Sequence, residues 1–318
     1  MRRWPEKSSS EGLHIPVMAD KVVELVGDCP DGVFVDATAG FGGHLKAVFK
    51  AYGNRFRYLG FDLDNEILRR TKACFSQQQI DVDFVNSNFS RIADLLQRRG
   101  ISQISAVLFD LGIGSFQIDN PDRGFSYLHD GPLSLSFNGT KPDAADLIAR
   151  TDERELTRLL REYGEEPKAK ALARAIVNSE EPVISTVQLA DIIRNVVGTK
   201  AFIKTASRVF QALRIAVNDE FTSIAEGLDS TLPLIAPGGK ALVITYHSLE
   251  DHLVKRMFKK YTGKCICPPG TPECRCGKVR MFKTPGSKPL YPEIKEVKSN
   301  PRARSAKLRV VERIAVAA

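Results

Sequence analysis

A glycine-rich turn and an aspartate downstream of it are the residues whose types and spacing could do chemistry. The turn, Gly40-Phe41-Gly42-Gly43, follows a short apolar run that ends at Asp36. Glycines let a backbone turn sharply and approach a ligand without side-chain obstruction. Asp62 comes about 20 residues later, where a carboxylate can accept hydrogen bonds from two ribose hydroxyls. The pattern indicates a site for a ligand that contains a nucleoside.

Two classes of ligand fit this pattern, a dinucleotide and S-adenosylmethionine. The dinucleotide fingerprint requires a third glycine where this chain has Leu45. The dehydrogenase alternative is therefore the weaker one. An ordinary tight turn between a strand and a helix, with no ligand, is the remaining alternative.

Four cysteines crowd into one short segment near the C-terminus and could bind a metal. They are Cys265, Cys267, Cys274 and Cys276. Their number and compactness are typical of a structural tetrahedral zinc site. Two C-x-C pairs are less usual than C-x-x-C pairs, so inert loop thiols are the alternative. The other two cysteines stand alone, which does not fit a secreted disulfide framework and predicts a cytoplasmic protein.

The elements that must position these residues alternate between strand-like and helix-like segments. Apolar runs end at Asp36, Asp62 and Asp110, another runs from Val82 to Val85 toward Phe89, and helical stretches are predicted near 43–52, 65–75 and 90–98. Repeated β-α units with right-handed crossovers predict an α/β fold, a Rossmann-like doubly wound parallel sheet. Ligands bind outside the carboxyl ends of such strands, so function should concentrate there.

The strand pattern stops after Gly112 for about a hundred residues. Segments 153–163 and 168–178 have helical periodicity, which predicts a helical insertion. Strand character returns at 241–245, after the turn signal Pro237-Gly238-Gly239, and again at 308–311. The sheet should therefore resume after the insertion.

Composition and charge narrow the function classes. Hydrophobic residues make up 43% of the 318 residues, and no apolar stretch approaches the length that crosses a membrane. The net charge of +8 is uneven, because the chain from Lys255 onward holds 17 Lys and Arg against 4 Glu. That segment carries +13 and the rest −5, which favours a polyanionic partner on one side, with a solvated basic tail as the alternative.

An ordered set of motifs along nearly the whole chain resembles the bacterial 16S rRNA cytosine N4-methyltransferase family. The motifs are His14-Ile15-Pro16-Val17-Met18, the run from Val35 to His44, the run from Asp110 to Asp119, Arg123-Gly124-Phe125-Ser126, Asp130-Gly131-Pro132-Leu133, Tyr163-Gly164-Glu165-Glu166, the run from Phe210 to Ile215, His247-Ser248-Leu249-Glu250-Asp251, and the run from Asn300 to Ser305.

The resemblance implies a methyltransferase core interrupted by a helical substrate-recognition domain. The predicted units are a flexible tail at 1–12, an S-adenosylmethionine-binding core at 13–118 and 216–318, and the insertion at 119–215. It implies cofactor contacts at Gly42, Gly43, His44, Asp62, Phe89, Asp110 and Gln117. It further implies methylation of the N4 amine of cytidine 1402 of 16S rRNA, at the decoding centre of the small ribosomal subunit.

The cytosine amine is a poor nucleophile, because its lone pair is delocalised into the ring. An acceptor for one amine hydrogen would help, and Asp110 is the candidate catalytic residue, with the segment Tyr246-His247-Ser248 as a further candidate. The target base must leave its stack, so Phe125, Tyr127 and Tyr246 are either stacking platforms or core residues. The basic residues that would contact phosphates are Lys278, Arg280, Lys283, Arg302, Arg304 and Lys307.

The sequence departs from the family pattern in three places. Phe116 replaces a usual proline, 134–137 replaces a usual Asp-Met-Arg-Met run, and 204–208 replaces a His-Pro-Ala-Thr-Arg run. Two alternatives therefore stay open, namely methylation of another RNA and a ribosome-assembly factor that binds RNA and S-adenosylmethionine with little turnover. A homodimer is also left open.

Overall fold

The computed structural model describes residues 15–286 and 288–315. The tail expected at 1–12 lies outside these residues. The described chain forms a seven-stranded sheet in the order β3-β2-β1-β4-β5-β7-β6. The strands are β1 Gly32–Asp36, β2 Phe56–Asp62, β3 Asp83–Asn86, β4 Ile104–Asp110, β5 Ile235–Thr245, β6 Phe282–Lys283 and β7 Lys307–Arg313.

The five strands from β3 to β5 run parallel, which confirms the predicted Rossmann-like sheet. Phe34 on the central strand β1 is paired with Tyr58 on one side and with Ala106 on the other. Strand β4 is buried along six of its seven residues, as expected for a parallel strand covered on both faces. Strands β7 and β6 add antiparallel pairings at one edge, which the sequence pattern did not predict.

Thirteen helices lie within the described residues. They are α1 Ala19–Gly27, α2 Gly43–Tyr52, α3 Asn65–Gln77, α4 Ile92–Arg98, α5 Ser115–Asp119, α6 Ala144–Arg150, α7 Glu153–Glu162, α8 Ala169–Val177, α9 Thr186–Val197, α10 Thr199–Asn218, α11 Glu220–Thr231, α12 Ser248–Tyr261 and α13 Ile294–Ser299. Helices α2, α3 and α4 agree with the helical stretches expected in the first half of the chain, and α7 and α8 with those expected in the insertion.

Successive residues of the strands supply two separate cores, one on each face of the sheet. Phe34 and Leu45 belong to the core under α1, α2 and α3. Val35 belongs to the core on the opposite face, together with Ile224 and Leu228 of α11. The alternation follows from the two-residue repeat of a strand, and it holds the sheet between two helical layers.

The residues between β4 and α11 build a third core of their own. Leu156, Leu160, Leu172 and Leu213 are all buried there, in α7, α8 and α10. Because α11 packs on the sheet instead, the return to the first two layers comes near residue 220. The limits 119 and 215 of the insertion stay a prediction.

In the part of the chain that the structure describes, none of the helices combines the length and the apolar character that a membrane span requires.

Candidate active site

Three aspartates come together at the carboxyl edge of the sheet. Asp36, Asp62 and Asp110 are the last residues of β1, β2 and β4, which are neighbours in the order β2-β1-β4. Burial raises the pKa of Asp36 to about 7, with the nearby charges of Asp110 and Asp62 contributing. The edge where function was expected therefore carries a cluster of three acidic side chains, here called the acidic floor.

Asp62 holds the glycine-rich turn in place. Its Oδ2 accepts a hydrogen bond from the Gly40 N–H at 2.8 Å, and its Oδ1 accepts one from the Asp64 N–H at 2.9 Å. Each carboxylate oxygen can accept a second bond, so two acceptor positions are left. Burial raises the pKa of Asp62 to about 6, because the backbone donors compensate only in part for the lost water.

Gly42 and Gly43 lie where a side chain would collide with the neighbouring elements. Gly42 has a φ of 73°, and a Cβ there would lie 2.4 Å from the Phe75 ring of α3. A Cβ on Gly43 would lie 3.1 Å from Pro16. The turn is therefore closely packed from behind, which leaves its outer side to a ligand.

Both ends of the described chain cover this turn. The Met18 N–H donates to Glu296 Oε1 at 2.6 Å, and Asn300 Nδ2 donates to the Ile15 carbonyl at 3.1 Å. Since Pro16 lies against Gly43, residues 294–300 hold the N-terminal residues onto the turn.

Asp110 is the centre of a buried polar cluster. Tyr246 Oη donates to Asp110 Oδ1 at 2.7 Å, and His44 Nε2 lies 3.4 Å from Oδ2. Burial and the Asp110 charge raise the pKa of Tyr246 well above its usual value, so the phenol keeps its proton and donates. Burial opposes protonation of His44, but the carboxylates of Asp110 and Asp36 outweigh it and raise its pKa.

Thr38 connects the carboxyl ends of β1 and β4. The Asp110 N–H donates to Thr38 Oγ1 at 2.7 Å, and the Thr38 N–H donates to Asp36 Oδ1 at 3.1 Å. Among the described residues, Asp36 Oδ2 and both ring nitrogens of His44 are buried without a hydrogen-bond partner. Buried polar atoms of this kind mark a place that is incomplete without a ligand or water.

The other two expected cofactor residues, Phe89 and Gln117, share no hydrogen bond with the three aspartates in the described part of the chain. Phe89 begins a short helical turn after β3, and its ring packs on Phe109 with centroids 5.6 Å apart. Gln117 is buried in α5, where its Oε1 accepts from the Gly114 N–H at 2.7 Å. Contacts of either residue with a cofactor stay a prediction.

An ion pair that sequence reasoning missed joins the insertion to the core. Arg123 Nη2 lies 2.5 Å from Asp64 Oδ2, and the same nitrogen donates to the Phe137 carbonyl. Asp64 is buried and caps α3, two residues after Asp62. The presence of Arg123 in a matched motif was the available signal, but no spacing rule could have named its partner.

His247 has a structural role in this arrangement. It is the N-cap of α12, where its Nδ1 accepts from the Glu250 N–H at 3.4 Å. Its Nε2 lies 3.0 Å from Glu250 Oε1, and Ser248 Oγ donates to Glu165 Oε2 at 2.6 Å. Of the segment Tyr246-His247-Ser248, only Tyr246 donates to Asp110.

The other two aromatic candidates, Phe125 and Tyr127, are part of a hydrophobic core. Phe125 is buried in the core of the insertion, and Tyr127 packs there on Phe202 and Phe210. Phe41, in the glycine-rich turn, is 39% exposed and lies edge-on to Phe116, with centroids 5.8 Å apart. An aromatic pair with one exposed member, Phe41, thus borders the turn, and the sequence pattern did not predict it as a stacking platform.

The four clustered cysteines lie far along the chain from these residues, in the segment after α12. Their Sγ atoms all lie within 4.8 Å of one another.

The sequence comparisons with known proteins agree on one family. The model of the MraW methylase family matches residues 11–314. A ribosomal RNA small subunit methyltransferase H of Carboxydothermus hydrogenoformans is 43% identical over 315 residues, which cover 96% of this chain and 100% of that one. The protein of the same name from Geobacter sulfurreducens is 41% identical over 310 residues, with 95% and 99% covered. An rRNA methylase structure from Streptococcus thermophilus covers 93% of this chain and 94% of its own at 12% identity, with a TM-score of 0.41.

Proposed function

Because the chain belongs to the MraW methylase family, we propose that it uses S-adenosylmethionine to methylate the N4 amine of a cytidine in 16S rRNA. The relatives' names support the small-subunit RNA as substrate. The choice of N4 and of cytidine 1402 rests on the sequence resemblance. The observation that carries the proposal is the Asp110 cluster at the edge of the sheet.

The pocket residues fit S-adenosylmethionine better than a dinucleotide. The Gly40 N–H, which would be available to a phosphate, is already bonded to the Asp62 carboxylate. The acidic floor formed with Asp36 and Asp110 disfavours a pyrophosphate and favours a cationic sulfonium. We assign the two remaining acceptor positions of Asp62 to ribose hydroxyls, and the cofactor supplies an electrophilic methyl group when bound.

Asp110 is the residue that we assign to the target amine. Tyr246 binds one oxygen of its carboxylate, which fixes the carboxylate plane. The other oxygen, near His44, accepts a hydrogen bond from the amine, which localises the nitrogen lone pair. It then takes the proton that the nitrogen loses as the N–CH3 bond forms and the S–CH3 bond breaks. Holding the nitrogen in line with the methyl carbon is the main task in such a displacement, and the cluster provides a rigid anchor for it.

Unpaired cations along α12 support RNA as the partner. His252, Lys255, Arg256 and Lys259 line one side of a groove of about 380 Å³, and the cysteine segment lines the other. Lys255, Arg256 and Lys259 have no carboxylate partner among the described residues. Of the six basic residues proposed from sequence, Lys283, Arg302 and Lys307 are paired with Glu312, Asp119 and Asp251. The other three, Lys278, Arg280 and Arg304, have no carboxylate partner among the described residues.

The test is transfer of labelled methyl groups to small ribosomal subunits that lack their native modifications, followed by nucleoside analysis. We expect label in N4-methylcytidine. Asp110→Asn should lower the transfer rate by at least about 100-fold, the usual contribution of a positioned proton acceptor. Asp81→Asn is the matched control, since Asp81 is exposed before the amino end of β3, away from the site.

Each of the other outcomes would assign a different function to the chain or to Asp110. Label in another nucleoside would assign the chain to another RNA target. No transfer, with cofactor and RNA both bound, would identify the assembly factor. Full activity of Asp110→Asn would overturn the role of this carboxylate while leaving the reaction intact.

A further inference from the structure

We infer that the cysteine loop, residues 262–281, is built around one structural Zn²⁺ ion. The ligands are the thiolates of Cys265, Cys267, Cys274 and Cys276. None of the loop's residues belongs to the edge of the sheet that carries the aspartates, and the loop lines one side of the groove along α12.

The distances between the sulfur atoms fit a single tetrahedral ion. Cys265 Sγ lies 3.5 Å from Cys274 Sγ and 3.9 Å from Cys276 Sγ, and the last two are 3.4 Å apart. Four sulfurs each about 2.3 Å from a central zinc are about 3.8 Å from one another. A disulfide requires about 2.04 Å, and a cluster of several irons spreads its four thiolates farther apart.

The cysteine loop has no buried core of its own. Residues 262–281 are all described, and none of them is buried. Its base is closed by a bridge between Thr262 and Arg280 and by the Val279 N–H, which donates to the Lys260 carbonyl at 2.9 Å. A segment of this length without a core requires a cross-link to hold one conformation, and a metal provides one.

The surroundings of the sulfurs suit thiolates. The Ile266 N–H donates to Cys276 Sγ at 3.4 Å, and the Cys267 N–H donates to Cys265 Sγ at 3.5 Å. Backbone donors of this kind orient and stabilise metal-bound thiolates. Zinc with four thiolates carries two negative charges, and Lys264, Arg275 and Lys278 in the same loop offset them.

The first experiment measures metals in the purified full chain. We expect about one zinc per chain, lost on Cys274→Ser. Cys74→Ser is the matched control, since Cys74 is a half-buried thiol outside the cysteine loop, and it should retain the zinc. Replacement of zinc by cobalt should give the intense visible bands of tetrahedral thiolate coordination. Iron in place of zinc, four free thiols without metal, or two disulfides found by mass spectrometry would each overturn the inference.

A second measurement reads the loop conformation without using activity. Limited trypsin digestion should spare Lys264, Arg275 and Lys278 in the zinc-loaded protein. We expect rapid cleavage at these sites in Cys274→Ser and after removal of zinc by a chelator, with cleavage at all other sites unchanged. Equal cleavage of the two forms would show that zinc does not order the loop.

Discussion

At the residue scale, the pKa of Asp62 sets the pH range in which the nucleoside ligand should bind. Its pKa is raised to about 6, and hydrogen bonds from ribose hydroxyls favour the charged carboxylate. Binding should therefore lower this pKa and release a proton whenever the free protein is protonated. The affinity should be constant at high pH and fall as the pH drops through about 6.

We expect the Kd for S-adenosylhomocysteine to rise by up to about tenfold per pH unit below that point, because protonation competes with binding. Isothermal titration from pH 8 to pH 5 measures it. Asp62→Asn should bind weakly and without this pH dependence. A wild-type Kd that is flat across the range would show that the carboxylate does not take part.

Sequence alone identified the aspartates but not how they are connected. Asp62 and Asp110 end apolar runs, so the rule about strand ends was sufficient to predict their position. The bond from Tyr246 to Asp110 spans 136 residues, and the pair of Arg123 with Asp64 spans 59. No periodicity encodes such distances, since they depend on how β5 and the insertion pack against the core.

At the element scale, the glycine-rich turn is fixed by what lies behind it. Gly42 and Gly53 both have positive φ values, 73° and 52°, but only Gly42 is crowded, by Phe75. The two positions therefore separate backbone strain from steric conflict.

We expect Gly53→Ala to lower the free energy of unfolding by about 1 to 3 kcal/mol, the cost of backbone strain alone. Gly42→Ala should cost clearly more and should also weaken ligand binding, because α3 must move away from the turn. Urea denaturation and ligand titration of both variants test this. An equal loss of unfolding free energy in the two variants would mean that Phe75 can move away from residue 42 without destabilising the protein.

The sequence pattern predicted the long parallel strands but not the short edge strand β6. Long parallel strands between two cores have continuous apolar runs, and these were predicted to within a residue or two at β1, β2, β3 and β4. Strand β6 has only two residues, one of them an exposed lysine, so it has no pattern to read. Its place in the sheet depends on pairing with β7.

At the scale of the whole molecule, positive charge is concentrated in the last quarter of the chain. Several of these cations lie side by side along α12. Lys255, Arg256 and Lys259 are exposed there on one side of the groove. The charge imbalance was predictable from composition. Which cations are free was not, since it depends on partners that the fold supplies, such as Asp251 for Lys307.

Replacing all three by alanine should weaken binding of 16S rRNA and make it less sensitive to salt. Each phosphate contact contributes about 0.7 to 0.9 to the slope of log K against log salt, so the slope should fall by about 2. Filter binding from low to physiological salt measures it. The control replaces Lys50, Lys72 and Arg98, three exposed cations elsewhere, by alanine. It has the same net charge as the α12 variant, and its slope should equal that of the wild type.

The contact between the two ends of the described chain has a consequence for when the protein matures. Residues 15–18 are held by partners 278 and 285 positions later in the sequence. The glycine-rich turn itself, residues 40–43, is translated long before Glu296 and Asn300 emerge from the ribosome. A nascent chain therefore carries an uncovered turn until residues 296 and 300 have been translated and have folded back onto residues 15–18.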